Sequence, residues 1–440
     1  MGIQDIWNFI KPTAITMKLA DYTLENRNAS DLVCRIGIDA QALLRGFRAV
    51  DPSTVFIQTY DFLCHLCRAP AADFIFVYTS PESGVNVDEL EQFKELLKAF
   101  SYHIHVTEAE VNAELSAMSN FGLIKAILTN DGNIFPFGAN CVLSLNRNLM
   151  VNSAESSPTS FVVDVYCART IQERLGISKE GFILIALIVG SDYNEGIHGI
   201  GMMTAIALAK CGYGEALLRN YHQFSQSSHL LDSSFVELNC SIADEIESNS
   251  RHYLRRQSPQ RAHAFLDAHF PSSDTLRTLK MFSEPITDLS PSSGPQVGSK
   301  WVYNIPHPPK IAAFCRKYFR WSSELVNQKF RSELYAGVII RMLCSKYVVY
   351  NPVNGEILVP LVQSHFDLDH SGRPYAFTLS TTIGGKNPPS VHGKELHEAI
   401  DVDFSTSFFT QVAGLVCSDE QMIRVAIPAP ILAVALRLRL

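Results

Sequence analysis

The sequence predicts an α/β fold built on a parallel sheet with helices on both faces, followed by a helical region and a small β-rich C-terminal part. Three observations carry this. Short apolar strands alternate with helical patterns through the first half. Polar or acidic residues (Asp39, Thr79, Asp131) stand at the C-terminal ends of successive strands, where open α/β sheets place their sites. After about residue 346 the period changes from helical to short strands.

The elements follow in order. Residues 33–38 form a strand ending at Asp39, 56–68 an apolar helix, and 73–78 a second strand ending at Thr79. Leu90, Phe93, Leu96, Leu97 and Phe100 repeat at helical spacing. Then come a strand over 102–106, a helix over 108–121, and a strand over 123–129 ending just before Asn130 and Asp131. A strand over 162–165 and a helix over 168–175, closed by Gly176, lead to a helical region reaching Tyr221. Serines over 225–234 predict a loop, and Ser, Pro and Gly over 283–299 a linker. Helices resume over 310–319 and 322–344; strands are expected at 347–350, 377–381 and 423–427.

A chain of 440 residues, 47% apolar and 18% charged, buries a sizeable core and divides into two or three domains. The net charge of −7 leaves room only for a local basic face, not a broadly basic surface. Cys64 and Cys67 are the close pair among ten cysteines; no second pair stands at zinc-site spacing, and buried reduced thiols are the expectation. His65 between them reads as filler. The longest apolar run, 182–189, falls far short of the ~20 residues of a membrane helix, and Asp5, Asn8 and Lys11 interrupt any secretory leader. No membrane partner is expected.

Four stretches resemble the flap-endonuclease/XPG/GEN family of structure-specific DNA nucleases. They are MGIQDIWNFIKP at the N-terminus, RIGIDAQALL around Asp39, EVNAELSAMSNFGLIKAILTNDGNIFPFGA from Glu110, and GSDYNEGIHGIGMMTAIALA from Gly190. The last is the most specific, joining an acidic loop to a helix-hairpin-helix whose GIG turn can offer backbone amides to a phosphate. KIAAFCRKYFRW and FRSELYAGVIIRMLC, followed by a β-rich tail, are similar to fungal GEN-like junction resolvases, whose tail is chromodomain-like.

The resemblance implies a PIN-like, 5′-3′ exonuclease-type sheet in five regions. These are an XPG N-terminal-like region (1–100), an XPG-I-like region (101–178), a helix-hairpin-helix region (179–282), a linker with helices (283–345) and a β-rich tail (346–440). It implies Mg2+-dependent hydrolysis of flapped or branched DNA, a role in DNA repair, and a nuclear location. Two-metal hydrolysis holds two Mg2+ ions roughly 3.5–4 Å apart among hard oxygen ligands. The family's seven carboxylates fall on Asp39, Thr79, Glu110, Asn112, Asp131, Asn133 and Asp192. Four remain as metal and catalytic candidates (Asp39, Glu110, Asp131, Asp192); Thr79, Asn112 and Asn133 are degenerate positions. A charge of −4 then faces the +4 of two Mg2+ ions, so one or two weakly held ions are expected. Gly2, Gly199, Ile200 and Gly201 are the implied DNA contacts.

Alternatives stay open. Glu108 and Glu110 can also be aligned to the paired-Glu positions, a shift of two residues that turns the helix by about 200°. Each strand-end Asp can be a helix cap, GIG a plain turn, and Arg251, Arg255, Arg256 and Arg261 a solvated face. Between Ser80 and Tyr102, where the family carries a basic arch, five acidic residues stand against Lys94 and Lys98; that charge repels phosphate. The competing function is a catalytically impaired pseudo-nuclease that binds DNA or a protein.

Overall fold

The computed structural model describes residues 2–3, 5–28, 32–79, 87–145, 162–289, 301–345, 348–351, 356–360, 376–380, 399–405, 415 and 422–435. Its centre is a seven-stranded mixed sheet. The strands are β1 (Ile15–Lys18), β2 (Cys34–Asp39), β3 (Ala72–Thr79), β4 (His103–Thr107), β5 (Ala126–Leu128), β6 (Cys141–Leu145) and β7 (Val162–Cys167), in the order β1-β7-β6-β5-β2-β3-β4. The five strands from β6 to β4 run parallel; β7 and β1 add antiparallel at one edge. The parallel sheet read from the sequence is therefore one side of a mixed one, reaching its edge at β4.

Strand burial explains the apolar runs. Alternate residues of β3 serve opposite faces: Phe74 and Phe76 join one core, Ile75 and Val77 the other. A strand covered on both sides must be apolar at every position, as ADFIFVYT nearly is. On the first face lie α2 (Leu19–Glu25), α3 (Ala40–Val50), α4 (Val55–Cys67) and α5 (Val87–Ala99). The second face carries α1 (Ile6–Ile10) and α6 (Val111–Asn120). It also carries most of α7 (Ala168–Leu175), α8 (Lys179–Val189), α9 (Met202–Lys210), α10 (Tyr213–Phe224), α11 (Ser228–Ser248), α12 (Pro259–Asp267) and α13 (Ser273–Ser283).

The first face is completed from the far end of the chain. Helices α14 (Pro308–Phe314), α15 (Ser323–Lys329) and α16 (Tyr335–Leu343) pack there, with π-helical turns at Cys315–Phe319 and Phe330–Leu334. Buried Arg341 ties α16 to the sheet, donating to Ala72 O at 2.7 Å and to Asn304 O at 2.8 Å. Strands β8 (Val349–Asn351), β9 (Glu356–Pro360) and β10 (Ala376–Ser380) form a small antiparallel sheet, and β11 (Ala399–Ser405) pairs with β12 (Met422–Pro428). Val402, Phe404, Val425 and Ile427 of that pair enter the same core as β2 and β3.

One expectation needs correction. Residues 225–234 are largely helix, because α11 starts at Ser228 and buries Phe235, Leu238, Ile242 and Ile246. Its serines bond back along the helix, Ser233 Oγ to His229 O and Ser234 Oγ to Leu231 O, so they sit in it without orphaned hydroxyls. The helical spacing from Leu90 onward is found as helix α5, which carries most of the acidic residues between Ser80 and Tyr102. Its Phe93, Leu96 and Leu97 are buried, while Glu89 pairs with Arg48 and Glu95 with Lys317. Residues 80–86 and most of the linker, 290–299, lie outside the described residues. The expected thiols are free, with Cys64 and Cys67 buried.

Candidate metal centre and nucleic-acid interface

The C-terminal ends of the adjacent strands β5, β2 and β3 present Asp131, Asp39 and Thr79 side by side. Asp39 ends β2 and caps α3, its Oδ1 accepting from Ala42 N at 2.8 Å. Glu110 caps α6 in the same way, accepting from Ala113 N at 2.8 Å. Both carboxylates are therefore helix caps.

A hydrogen-bonded chain links five positions. Asn112 Nδ2 donates to Glu110 Oε1 at 3.2 Å and to Asp131 Oδ2 at 3.3 Å. Asp131 Oδ1 accepts from Asn133 N at 3.0 Å, and Asn133 Nδ2 donates to Asp192 Oδ2 at 3.0 Å. Glu108 is exposed and outside this chain, whereas Asn112 is buried within it. The Glu110/Asn112 register is the one that turns toward Asp131.

Gly2 closes the group. Its N donates to the Asp192 carboxylate at 3.2 and 3.3 Å. With φ +76°, a Cβ there would stand 2.4 Å from Asp131 Oδ1 and 2.7 Å from Asn133 N. Only glycine fits, and α1 holds it in place: Trp7 Nε1 donates to Asn130 O at 3.1 Å while its ring packs edge-on to Phe135 and Tyr166.

The loop carrying Asp192 is held by its own backbone. Ser191 N donates to Asn194 O and Ile197 N to Ile188 O. Gly196, at φ +80°, lets the loop fold back so closely that a Cβ would lie 2.5 Å from Gly190 N. Tyr193 in this loop is a residue the sequence reading passed over: its hydroxyl donates to Glu110 Oε1 at 2.8 Å. The signal was its place beside Asp192 in GSDY. Beyond the loop, Gly199 and Gly201 are exposed and open, while Ile200 is buried at 4% exposure, so its side chain anchors the hairpin.

Burial favours the protonated form of two of these carboxyls. Burial, with Asp131 and Glu110 nearby, pushes the Asp39 carboxyl up to about 7. Burial also raises Glu110 despite its bonds to Ala113 N and the Tyr193 hydroxyl. Two buried acceptors, Asn112 Oδ1 and Asn133 Oδ1, have no hydrogen-bond partner. Carboxylate and amide oxygens gathered in this way are the kind of donor a hard divalent cation takes. Elsewhere, His105, Glu114 and Asp288 bring ligand atoms within 4.8 Å of one another, but Glu114 is satisfied by His105 Nε2 at 2.8 Å and Asp288 N at 2.9 Å.

Residues 100–192, which hold most of this cluster, match the XPG I-region family. That stretch is similar to the XPG I-region, and parts of the chain are similar to flap-endonuclease and GEN nucleases. Human flap endonuclease GEN homolog 1 is 28% identical over 120 residues, covering 27% of this chain and 12% of the relative. Flap endonuclease 1 of Sulfurisphaera tokodaii is 33% identical over 129 residues, covering 27% and 35%. The match thus spans well under half of either relative. The fold extends further than the sequence likeness. A crystal structure of the Holliday junction-resolving enzyme GEN1 with product DNA and Mg2+ superposes with a TM-score of 0.68 at 18% identity, covering 99% of this chain and 97% of that one. The mixed sheet around the XPG I-region is the PIN-like fold of this group. No helix among the described residues is long and apolar enough to cross a membrane.

Proposed function

We propose that this chain is an XPG/GEN-type structure-specific DNA nuclease whose metal site has been reduced from two cations to one. The carrying observation is the chain Glu110–Asn112–Asp131–Asn133–Asp192, in which two amides stand among the carboxylates and hydrogen-bond to them. Asp131, Asp192 and Asn133 Oδ1 would hold one Mg2+, with Asp39 and Glu110 behind them. Bound there, the cation would polarise a phosphodiester and lower the pKa of a water. The protein's own part is positioning. Gly2 and the Asp192 loop fix the approach, Tyr193 orients Glu110, and the exposed backbone at Gly199 and Gly201 would grip a phosphate of flapped or branched duplex. DNA repair in the nucleus is the setting that the relatives suggest.

The same amides favour a second reading, DNA binding without cleavage. Asn112 and Asn133 satisfy carboxylates that a cation would otherwise need to neutralise. Cleavage assays on 5′-flap and four-way-junction DNA with Mg2+ or Mn2+, beside binding measurements in EDTA, separate the two. Weak metal-dependent cutting supports the nuclease. Binding with no cutting under either metal supports the second reading, and cutting with two tight Mg2+ sites by calorimetry overturns the reduced site.

A further inference from the structure

Cys141 opens β6 and Cys167 ends β7, and the antiparallel register sets them directly opposite each other. The neighbouring Ala168 N donates to Asn140 O at 2.9 Å. Bonded and non-bonded pairs alternate along an antiparallel ladder, so Cys141 and Cys167 occupy a non-hydrogen-bonded pair, the type with the closer side chains. The Cα separation of such a pair, about 4.5 Å, falls within the range a disulfide spans. Both thiols are half-buried and both are free. Cys64 and Cys67 also neighbour one another, but both lie on one helix and are fully enclosed, whereas Cys141 and Cys167 are only half-buried.

We propose that Cys141 and Cys167 form a redox-sensitive pair that closes into a cross-strand disulfide on reaction with a low-molecular-weight disulfide such as glutathione disulfide. Cys167 is the attacking thiol. It stands at the N-cap of α7, where the helix end favours a thiolate, and the adjacent Cys141 thiol brings it down to about 7, while pairing and burial push Cys141 well up. Its sulfur attacks glutathione disulfide, forming a mixed disulfide and expelling one glutathione thiolate. Cys141 then loses its proton to solvent and attacks the Cys167 sulfur, expelling the second glutathione thiolate. One S–S bond forms in the protein, one breaks in the oxidant, and the two electrons leave on glutathione. Tyr22, whose hydroxyl lies 3.4 Å from Cys141 Sγ, holds that sulfur beside its partner. The closed pair ties β7, and through it the edge strand β1, to β6. It sits at the end of β6 opposite the carboxylate cluster, so the modification leaves that cluster untouched.

The test treats the full chain with glutathione disulfide at pH 7.5 and maps its peptides by mass spectrometry without reduction. The expected product joins the Cys141 and Cys167 peptides with loss of two hydrogens, is reversed by dithiothreitol, and forms at least tenfold faster than glutathione adds to exposed Cys240. Cys141→Ser should stop at glutathione held on Cys167, and Cys167→Ser should leave Cys141 unreacted. The wild-type map alone decides the matter if either variant misfolds. Stable glutathione on Cys167 without closure, a link from Cys141 to Cys34, or closure no faster than the Cys240 reaction would each overturn the proposal.

Discussion

Asn112 and Asn133 each present a nitrogen face and an oxygen face, and the structure spends the nitrogens on Asp131, Glu110 and Asp192 while the oxygens stay unpartnered. Thr79→Asp, Asn112→Glu and Asn133→Asp together should therefore raise Mg2+-dependent cleavage of nicked junctions. Each alone should do little, since ligands of one cluster act as a unit. The triple variant also carries a physical cost that provides a second readout. Three added charges in a buried acidic cluster should lower its thermal midpoint in EDTA, and millimolar Mg2+ should return it; a midpoint indifferent to Mg2+ would refute the restored site. Gly2→Ala, which meets Asp131 Oδ1 at 2.4 Å, should displace the N-terminus and weaken Mg2+ binding by calorimetry at least tenfold, while the far-UV spectrum stays unchanged. That Glu110, Asn112, Asp131, Asn133 and Asp192 lie together was legible in the sequence through the family resemblance, which marks those positions. The bond from Tyr193 to Glu110 was not, because it joins residues 83 apart through a loop whose course only the fold fixes.

Elements were legible where a single periodicity governs them. The strands ending at Asp39 and Thr79, and α5 with its Leu90 to Phe100 spacing, came straight from the pattern. The start of α11 did not, because serine predicts a loop until its hydroxyl is seen bonding back to the helix. Two predictions belong at this scale. Gly196→Ala forces a side chain to φ +80° and against Gly190 N, and should cost more than about 2 kcal/mol in denaturant unfolding. On α4, Asp61 lies against the turn Phe330–Leu334, and burial with Glu333 close by raises its carboxyl from 3.8 to about 6. The folded state therefore holds a proton that the unfolded state releases above about pH 4, so this group removes stability as pH rises from about 4 to 6 and keeps it removed above. Asp61→Asn should raise the thermal midpoint at pH 7.5 and leave it unchanged at pH 4. An equal gain at both would mean that packing, not ionisation, is responsible.

At the scale of the whole molecule, the middle and the C-terminal part of the chain serve different faces of one sheet. Helices α7 to α13 cover the face of Ile75 and Val77, and the C-terminal helices with β11 and β12 cover the face of Phe74 and Phe76. The sequence separates these parts by a Ser/Pro-rich stretch, which invites a reading of the tail as an independent appendage. Its burial says otherwise. Phe404 and Ile427 are fully enclosed, and Arg341 spends three donors on carbonyls of the sheet and of residue 304. A chain ending at residue 345 keeps every residue of the carboxylate cluster but uncovers the apolar surface beneath β11, β12 and helix Ala429–Ala435, including Val338 and Leu343. Such a chain should lose several degrees in thermal midpoint and associate in a concentration-dependent way, because an exposed apolar face of that size seeks a partner. The defect should track burial rather than chemistry. Full-length Phe404→Ala should show the same loss in part, about 3–5 kcal/mol for a buried Phe, while Mg2+ affinity per folded molecule stays at the wild-type value. A truncated chain that remains monomeric with an unchanged midpoint would establish the C-terminal part as a separate unit resting on the sheet rather than a component of its core.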